Sequence, residues 1–448
     1  MTFKLKILNS LSFLLAAALP FLNSFSIGGH AIGNAEQMTL FMLALYFFMG
    51  YGFVSRNPRR STMLPFSRNF YIFTGLILVS MAFSESTQTG SFQQLFYYLE
   101  LGGLYFLFSE LFFEESTFRH LYYGLLAGFS LSVFIAVMQF LKVPAFSLFK
   151  EEDLNVNTAY STDADELDIL RVWGPFGNAL TFSFYLSMAG SMLFFFFRYV
   201  RKQQLLAWAV FGLTLLGIGL TISRMALIAF ILCVGLVQFF SLKGRKRMRF
   251  IVSTIVLLGL GLVVISAVSS QNPILSRLNS SGDDFKGGRL AIWEVGYRIW
   301  TDNLFFGTGP GNLNAALYKA GWTRGGMDRV VIDNWAGHVE SYYLTLLFTF
   351  GLIPFFFYLR YLIAYLRATF TLMMKGFEDN QLAYGIPLFG AYFCLIISNL
   401  VNPAMNFEMR LPLLMVIQMA VSNNLYKKYI LSDNKEQKPL LSFRAFTA

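Results

Sequence analysis

Charge is the scarcest thing in this chain. Only 13% of its 448 residues are Asp, Glu, Lys or Arg, about half the share of a soluble domain. That scarcity excludes a water-soluble α/β enzyme. It also excludes a disordered polypeptide, whose composition is poor in apolar residues. Cysteine is nearly missing too. Cys233 and Cys394 each sit inside a long apolar run, which excludes a disulfide scaffold and reads as two small packing residues. Histidine occurs three times, at His30, His120 and His338, and no His/Cys/Asp/Glu cluster has metal-ligand spacing. Apolar side chains are abundant instead, at 56%, with 18% aromatic. A spanning helix takes roughly 20 such residues, so the chain reads as an all-α integral membrane protein of about twelve transmembrane helices.

The expected spans are 7–27, 38–54, 70–84, 93–113, 120–141, 175–197, 204–222, 225–242, 250–269, 341–361, 382–401 and 411–426. Lys and Arg collect between alternate spans: around Arg56–Arg68, Arg198–Lys202, Lys243–Arg249, Arg367–Lys375 and from Lys427 onward. Short basic loops stay in the cytoplasm, and all of these fall on one side of a twelve-span plan. The net charge of +10 is therefore mostly a topology signal, and nucleic acid is not an expected partner. The opposite side receives two long loops, an acidic one at 143–174 and a mixed one at 270–340. Residues 1–431 form a single polytopic domain in this reading, and 432–448 a polar cytoplasmic tail. Lys4 and Lys6 before an apolar run resemble a signal peptide, but apolar character continues to Ile27, so a retained first helix is expected. The phenylalanine runs Phe194–Phe197 and Phe355–Phe357 read as lipid-facing.

Loop 270–340 is patterned. Arg289 to Trp300 has helical spacing, with Leu290, Trp293 and Tyr297 along one face. Gly307, Gly309, Pro310 and Gly311 then break the chain, and Asn312 to Lys319 reads as a second short helix. Its apolar residues place this loop on the outer membrane surface.

Three places carry chemistry. Arg224 stands between two apolar runs, with no other charge from Gln204 to Lys243. It is either a residue snorkelling to the interface or a forked, permanently charged anion ligand. Arg289 follows Gly287 and Gly288 at a helix start, where first-turn amides also favour an anion; a solvated arginine is the plainer alternative. His338 and Glu340 stand where the long loop re-enters the membrane, so one of them could accept a proton from a hydroxyl near neutral pH. The alternative is a solvated histidine beside a helix-capping Glu340. Glu100, inside the fourth span, is a candidate because intramembrane carboxylates usually serve function. The glycine cluster 307–311 lacks the Lys-Ser/Thr ending of a nucleotide loop, and no nucleophile elbow marks a serine hydrolase.

Taken in order, Ser223-Arg224, Gly288-Arg289 with Trp293, Asn303-Leu304-Phe305-Phe306-Gly307-Thr308-Gly309-Pro310-Gly311-Asn312 and His338-Val339-Glu340-Ser341 before Gly351 resemble the O-antigen ligase and polymerase superfamily of bacterial membrane glycosyltransferases. Pro175-Phe176-Gly177-Asn178 belongs to the same likeness, which covers roughly 170–360 closely. The resemblance implies an undecaprenyl-diphosphate-linked glycan as donor and a glycan or lipid A core as acceptor. It also implies metal-independent transfer with inversion, no cofactor, and a site facing the periplasm from the inner membrane. A chain-length regulator is a candidate partner. Arg224 and Arg289 would hold the diphosphate, and Arg289, His338 and Glu340 would form the catalytic set. Ligases of this kind start a His-Asn-Ser-like run about eleven residues before the glycine. Here Glu340 stands at that distance from Gly351 and His338 two residues earlier. The base thus stays open between them, and the Glu-Ser pair favours a polymerase over a ligase. A carrier of lipid-linked glycans and a non-enzymatic assembly scaffold are the competing classes.

Overall fold

The computed structural model describes residues 2–22, 26–27, 30–31, 35–48, 63–84, 89–112, 114–146, 172–250, 252–253, 290–313, 315–317, 319, 339, 341–400 and 410–431. The expected ninth span, 250–269, lies almost wholly outside them, as do most of loop 143–174 and the tail 432–448.

The described chain is helical apart from a two-residue antiparallel pairing of Ser26–Ile27 with His30–Ala31. Its helices are α1 Thr2–Ala18, α2 Ala35–Phe48, α3 Pro65–Ala82, α4 Thr89–Leu111, α5 Glu115–Phe140, α6 Ala179–Phe195, α7 Gln204–Thr221 and α8 Arg224–Ser241. They continue with α9 Leu290–Asp302, α10 Tyr342–Phe350, α11 Leu352–Gly376, α12 Gly385–Asn399 and α13 Arg410–Leu425. Among the described residues, six helical stretches are long and apolar enough to cross a membrane: Phe3–Phe21, Glu115–Phe140, Ala179–Val200, Gln204–Thr221, Arg224–Ser241 and Asn380–Asn399. The 25-residue α11 is also long enough, but Arg360, Arg367 and Lys375 lower its hydropathy.

Side-chain contacts set the directions of the helices. Asn9 accepts from Thr117 (2.9 Å), so α1 and α5 start together and run parallel. Phe66 and Phe73 meet Tyr365 and Tyr358 (ring centroids 5.1 Å for both pairs), so α3 opposes α11. Tyr392 donates to the Leu362 carbonyl (3.2 Å), turning α12 against α11. Cys233 contacts the Gly390 carbonyl through Sγ (3.1 Å) and Cys394 that of Ala229 (3.6 Å), turning α8 against α12. Both cysteines are free and buried, as packing residues should be. These pairings gather the basic starts of α1, α3 and α5 with the basic ends of α6, α8, α11 and α13 at one end of the bundle. Among the described helices, those with basic starts run opposite to those with basic ends.

Helix α6, apolar all round, is the central helix, and nearly all of Ala179–Val200 is buried. This corrects the lipid-facing reading of Phe194–Phe197, each at most 1% exposed. They fill the core against Tyr122 and Tyr384 (ring centroids 4.3 and 6.0 Å from Phe196). Phe355 and Phe357 are half-buried, and Phe356 alone of that run is exposed. The serines of α6 satisfy themselves locally: Ser183, Ser187 and Ser191 each donate to the carbonyl three residues back (2.6, 2.9 and 2.9 Å).

Where α1 meets α5, Gly124 and Gly128 let the backbones touch, in the small-xxx-small manner of membrane helices. A Cβ at Gly128 would stand 2.6 Å from the Ala17 carbonyl oxygen, and one at Gly124 would collide with that of Phe13. Gly124→Leu should therefore push the first helix off its seat and cost about 1–3 kcal/mol or more. Thermal unfolding of the purified protein in detergent checks this, and an unchanged midpoint would remove the close approach from the account of stability.

Candidate functional site

The expected span 341–361 is not one helix. Gly351, at φ 78° and ψ −177°, ends α10 and starts α11. The two helices fold back on each other, so that the rings of Tyr342 and Tyr358 lie 5.9 Å apart. A continuous helix would separate those positions by about 24 Å. The hydropathy of the two segments runs on unbroken, which is why the sequence read them as one. α10 is thus a short helix whose beginning lies deeper in the bundle than its end.

Breaking a helix in apolar surroundings exposes amides and carbonyls that must find partners. The glycine turn after α9 provides them. Thr308 and Gly309 donate their amides to the Phe348 and Thr349 carbonyls at the end of α10 (3.0 and 2.8 Å). In return, Leu352 and Ile353 at the start of α11 donate to the carbonyls of Leu304 and Phe305 (3.0 and 3.2 Å). Gly307, Gly309 and Gly311 all have positive φ (65°, 85° and 74°), as the chain break in the sequence implied. The turn is tied sideways as well. Ser80 donates to the Phe306 carbonyl (2.6 Å), Gly311 donates its amide to Gln94 (2.5 Å), and Phe83 stacks on Phe306 at 4.5 Å.

The same contacts hold α9. Gly296 lies directly against the Phe348 ring, and Trp293, Val295, Ile299 and Trp300 pack with Leu313, Leu317, Val339 and Phe348. The buried face is therefore rotated from the one read in the sequence: Tyr297 is 55% exposed. Residues 313, 315–317 and 319 are helical, in line with the second short helix.

At the deep end of α10, Ser341 is the N-cap and accepts from the Leu344 amide (3.5 Å). The capping role that the sequence left open to Glu340 thus belongs to its neighbour. Thr345 donates to the Val339 and Ser341 carbonyls (3.1 and 2.9 Å). Tyr343 reaches across to the Ile396 carbonyl in α12 (3.0 Å). Val339 and Ser341 are both buried. His338 and Glu340, which flank Val339, lie outside the described residues, and so does Arg289, the residue before α9.

Arg224 is described. It is the first residue of α8, after a left-handed Ile222 (φ 54°) and an extended Ser223, and its side chain is exposed. Next to this hairpin, the Val172 amide donates to the Leu220 carbonyl (3.2 Å), which leads into Gly174-Pro175-Phe176-Gly177-Asn178. Asn178 caps α6, accepting from Leu180 and Thr181 (2.9 and 3.2 Å). Two residues that the sequence reading did not single out hold this turn. Gln139 brackets Gly174, accepting from its amide (2.9 Å) and donating to its carbonyl (3.0 Å). Arg410, only 4% exposed, donates to the carbonyls of Pro20, Pro175 and Phe176 (3.1, 2.9 and 3.2 Å) and lies over the Phe176 ring at 4.3 Å. Arg410 opens an apolar run just as Arg224 does, and that signal could have found it.

The antiparallel register of α8 and α12, continued past Ala229 and Cys394, brings Arg224 level with Asn399. Tyr343 packs on the same last turn of α12. The start of α8 and the start of α10 thus flank one end of α12, away from the basic end of the bundle. Glu100 lies half-buried in α4, and His120 is bonded through Nδ1 to the Ser116 carbonyl (2.7 Å) within its own helix. Among the described residues, no group of three or more His, Cys, Asp or Glu is placed to hold a metal ion.

Gly351→Ala should break the clasp between the turn and the hairpin. The change strains a positive φ by about 1–3 kcal/mol, and its methyl would strike the Phe305 carbonyl. A lower unfolding temperature with faster proteolysis within 290–320 is the expected result. Wild-type protease resistance would show that the clasp does not hold the loop.

Residues 209–359, a third of the chain, match the family model described as O-antigen ligase. The match begins in α7 and ends in α11, and so contains Arg224, Arg289, the glycine turn, His338, Glu340 and Gly351. No curated protein matches the chain. Through residues 209–359, this multi-pass membrane protein is similar to the O-antigen ligase family, which supports the likeness to the O-antigen ligase and polymerase superfamily.

Proposed function

We propose that the protein is an inner-membrane glycosyltransferase with twelve spans that joins undecaprenyl-diphosphate-linked oligosaccharide repeats into surface polysaccharide. The observation that carries this reading is the location of Arg224. It opens α8 at the end of the bundle opposite the basic helix ends, inside the matched segment and beside the last turn of α12. With basic loops held in the cytoplasm, that end faces the periplasm, where lipid-linked glycans are presented and nucleotide sugars are not.

Transfer expels a lipid diphosphate that carries at least two negative charges. Arg224 and Arg289 meet that charge as hydrogen-bond donors, a kind of stabilisation that commonly contributes about 10²–10³ in rate. The forked guanidinium suits phosphate oxygens, and an interface poor in water strengthens the attraction. The acceptor hydroxyl is a weak nucleophile, so His338 or Glu340 removes its proton as the bond to the anomeric carbon forms. Attack from the face opposite the diphosphate inverts that carbon. The buried Val339 and Ser341, neighbours in sequence of His338 and Glu340, support this assignment. The Glu340-Ser341 pair favours polymerase. The alternative is an O-antigen ligase that moves the finished glycan to lipid A core, and the family match is common to both readings.

Deleting the gene separates the two readings on a polysaccharide gel. Loss of the ladder with one repeat left on the core indicates a polymerase; long polymer on the lipid carrier with bare core indicates a ligase. Arg224→Ala or Arg289→Ala should lower turnover by about 10²-fold or more while the protein still inserts. Wild-type turnover from either variant removes that arginine from the site. In a purified assay, whichever of His338→Ala and Glu340→Gln removes the base should lose about 10²–10⁴-fold, and full activity in both would leave the proton without an acceptor.

A further inference from the structure

The last turn of α12 holds two polar side chains that no described residue satisfies. The Ser398 hydroxyl and the Asn399 side-chain carbonyl are buried without a hydrogen-bond partner among the described residues, in residues 1% and 2% exposed. Among the described residues, buried polar atoms of Tyr122, Tyr185, Gln418 and Asn423 share this state, whereas many buried hydroxyls pair within their own helix. Buried hydroxyls at Ser132, Ser187, Ser191 and Thr214 all return to a carbonyl three or four residues back, at 2.7–2.9 Å. Ser398 does not. Unpaired buried polar groups are costly, and a consecutive pair at a helix end points to a ligand that completes them.

Their position says which ligand. Asn399 is level with Arg224 across the α8–α12 register. On the same turn of α12, the Tyr343 hydroxyl already occupies the Ile396 carbonyl. An amide carbonyl needs a donor, and an ionised pyrophosphate has none to offer. The sugar bonded directly to the pyrophosphate has several hydroxyls, and it must lie beside whatever holds the phosphates. We infer that Asn399 and Ser398 form the subsite for the first sugar of the lipid-linked donor, with the Asn399 carbonyl accepting a sugar hydroxyl or N–H and the Ser398 hydroxyl pairing with a second group on the ring. This inference rests on the diphosphate reading of Arg224. It divides the donor between two sets of residues, with Arg224 taking its charge and the end of α12 taking its sugar.

Binding by the full-length protein in lipid nanodiscs tests the division with two probes, undecaprenyl diphosphate and undecaprenyl diphosphate carrying one N-acetylglucosamine. Asn399→Leu should weaken the sugar-bearing lipid by about tenfold, the loss of one good hydrogen bond, and leave the sugar-free lipid within twofold of wild type. Ser398→Ala should show the same selectivity with a smaller loss, and Arg224→Ala should weaken both lipids. Retained binding of the sugar-free lipid also certifies that each variant is folded. Where Asn399→Leu fails to insert, Asn399→Gln, which keeps the amide but displaces it, is expected to lose the sugar-bearing lipid alone. Equal losses on both probes, or none, overturn the sugar subsite and leave the proposed function standing. A wild-type protein that binds neither lipid overturns both.

Discussion

A helix broken inside apolar surroundings is tolerated only when another part of the chain takes up its loose amides and carbonyls. Here that part is the glycine turn 303–311. It donates to the end of α10 and accepts from the start of α11, so both sides of the Gly351 break are closed by one segment. The arrangement is reciprocal: the turn keeps its shape because the hairpin fills its backbone bonds, and the hairpin stands because the turn fills its own. Everything attached to either side inherits that fixed position. α9 is one such part. The start of α10, at Ser341 and Tyr342, is the other.

Around this clasp the bundle separates its polar groups by depth. One end collects the basic helix termini. The other is built from turns, at Leu19–Phe21, Gly174–Asn178, Ile222–Arg224 and 303–311. Turns leave carbonyls unpaired, and Arg410 binds three of them from two different turns. A buried guanidinium is expensive in an apolar setting, and here its two terminal nitrogens meet carbonyl oxygens while its plane lies over the Phe176 ring. Arg224, by contrast, is exposed at the same end. The two arginines thus divide between holding the frame and facing outward from it.

Much of this was legible in the sequence because the signals were local. Apolar runs marked helices, alternate basic loops marked their directions, and Gly307, Gly309 and Gly311 marked a turn, since left-handed backbone strongly favours glycine. The misreadings share one cause. Lipid and protein interior are equally apolar, so hydropathy could not show that Phe194–Phe197 face the core. Nor could it show that the run around Gly351 doubles back. The buried face of α9 was misjudged by one position in its turn because the glycine at 296, which admits the Phe348 ring, counts as nothing in an apolar pattern. Among the candidate site residues, Arg224 was visible as a lone charge between two apolar runs. Asn399 was not, because an asparagine closing a helix is ordinary until its neighbours are known.

The amino-acid order by itself determined that this is a helical membrane protein, which helix ends are basic, and the likeness of residues 209–359 to the O-antigen ligase family. Those properties follow from the cost of placing charge and backbone in hydrocarbon, which each stretch of chain meets alone. Tertiary structure decided which helix lies at the centre, that α10 folds back on α11, and which polar groups share the last turn of α12. These depend on residues tens or hundreds of positions apart competing for the same hydrogen bonds and the same volume, and such competition is resolved only when the chain is packed.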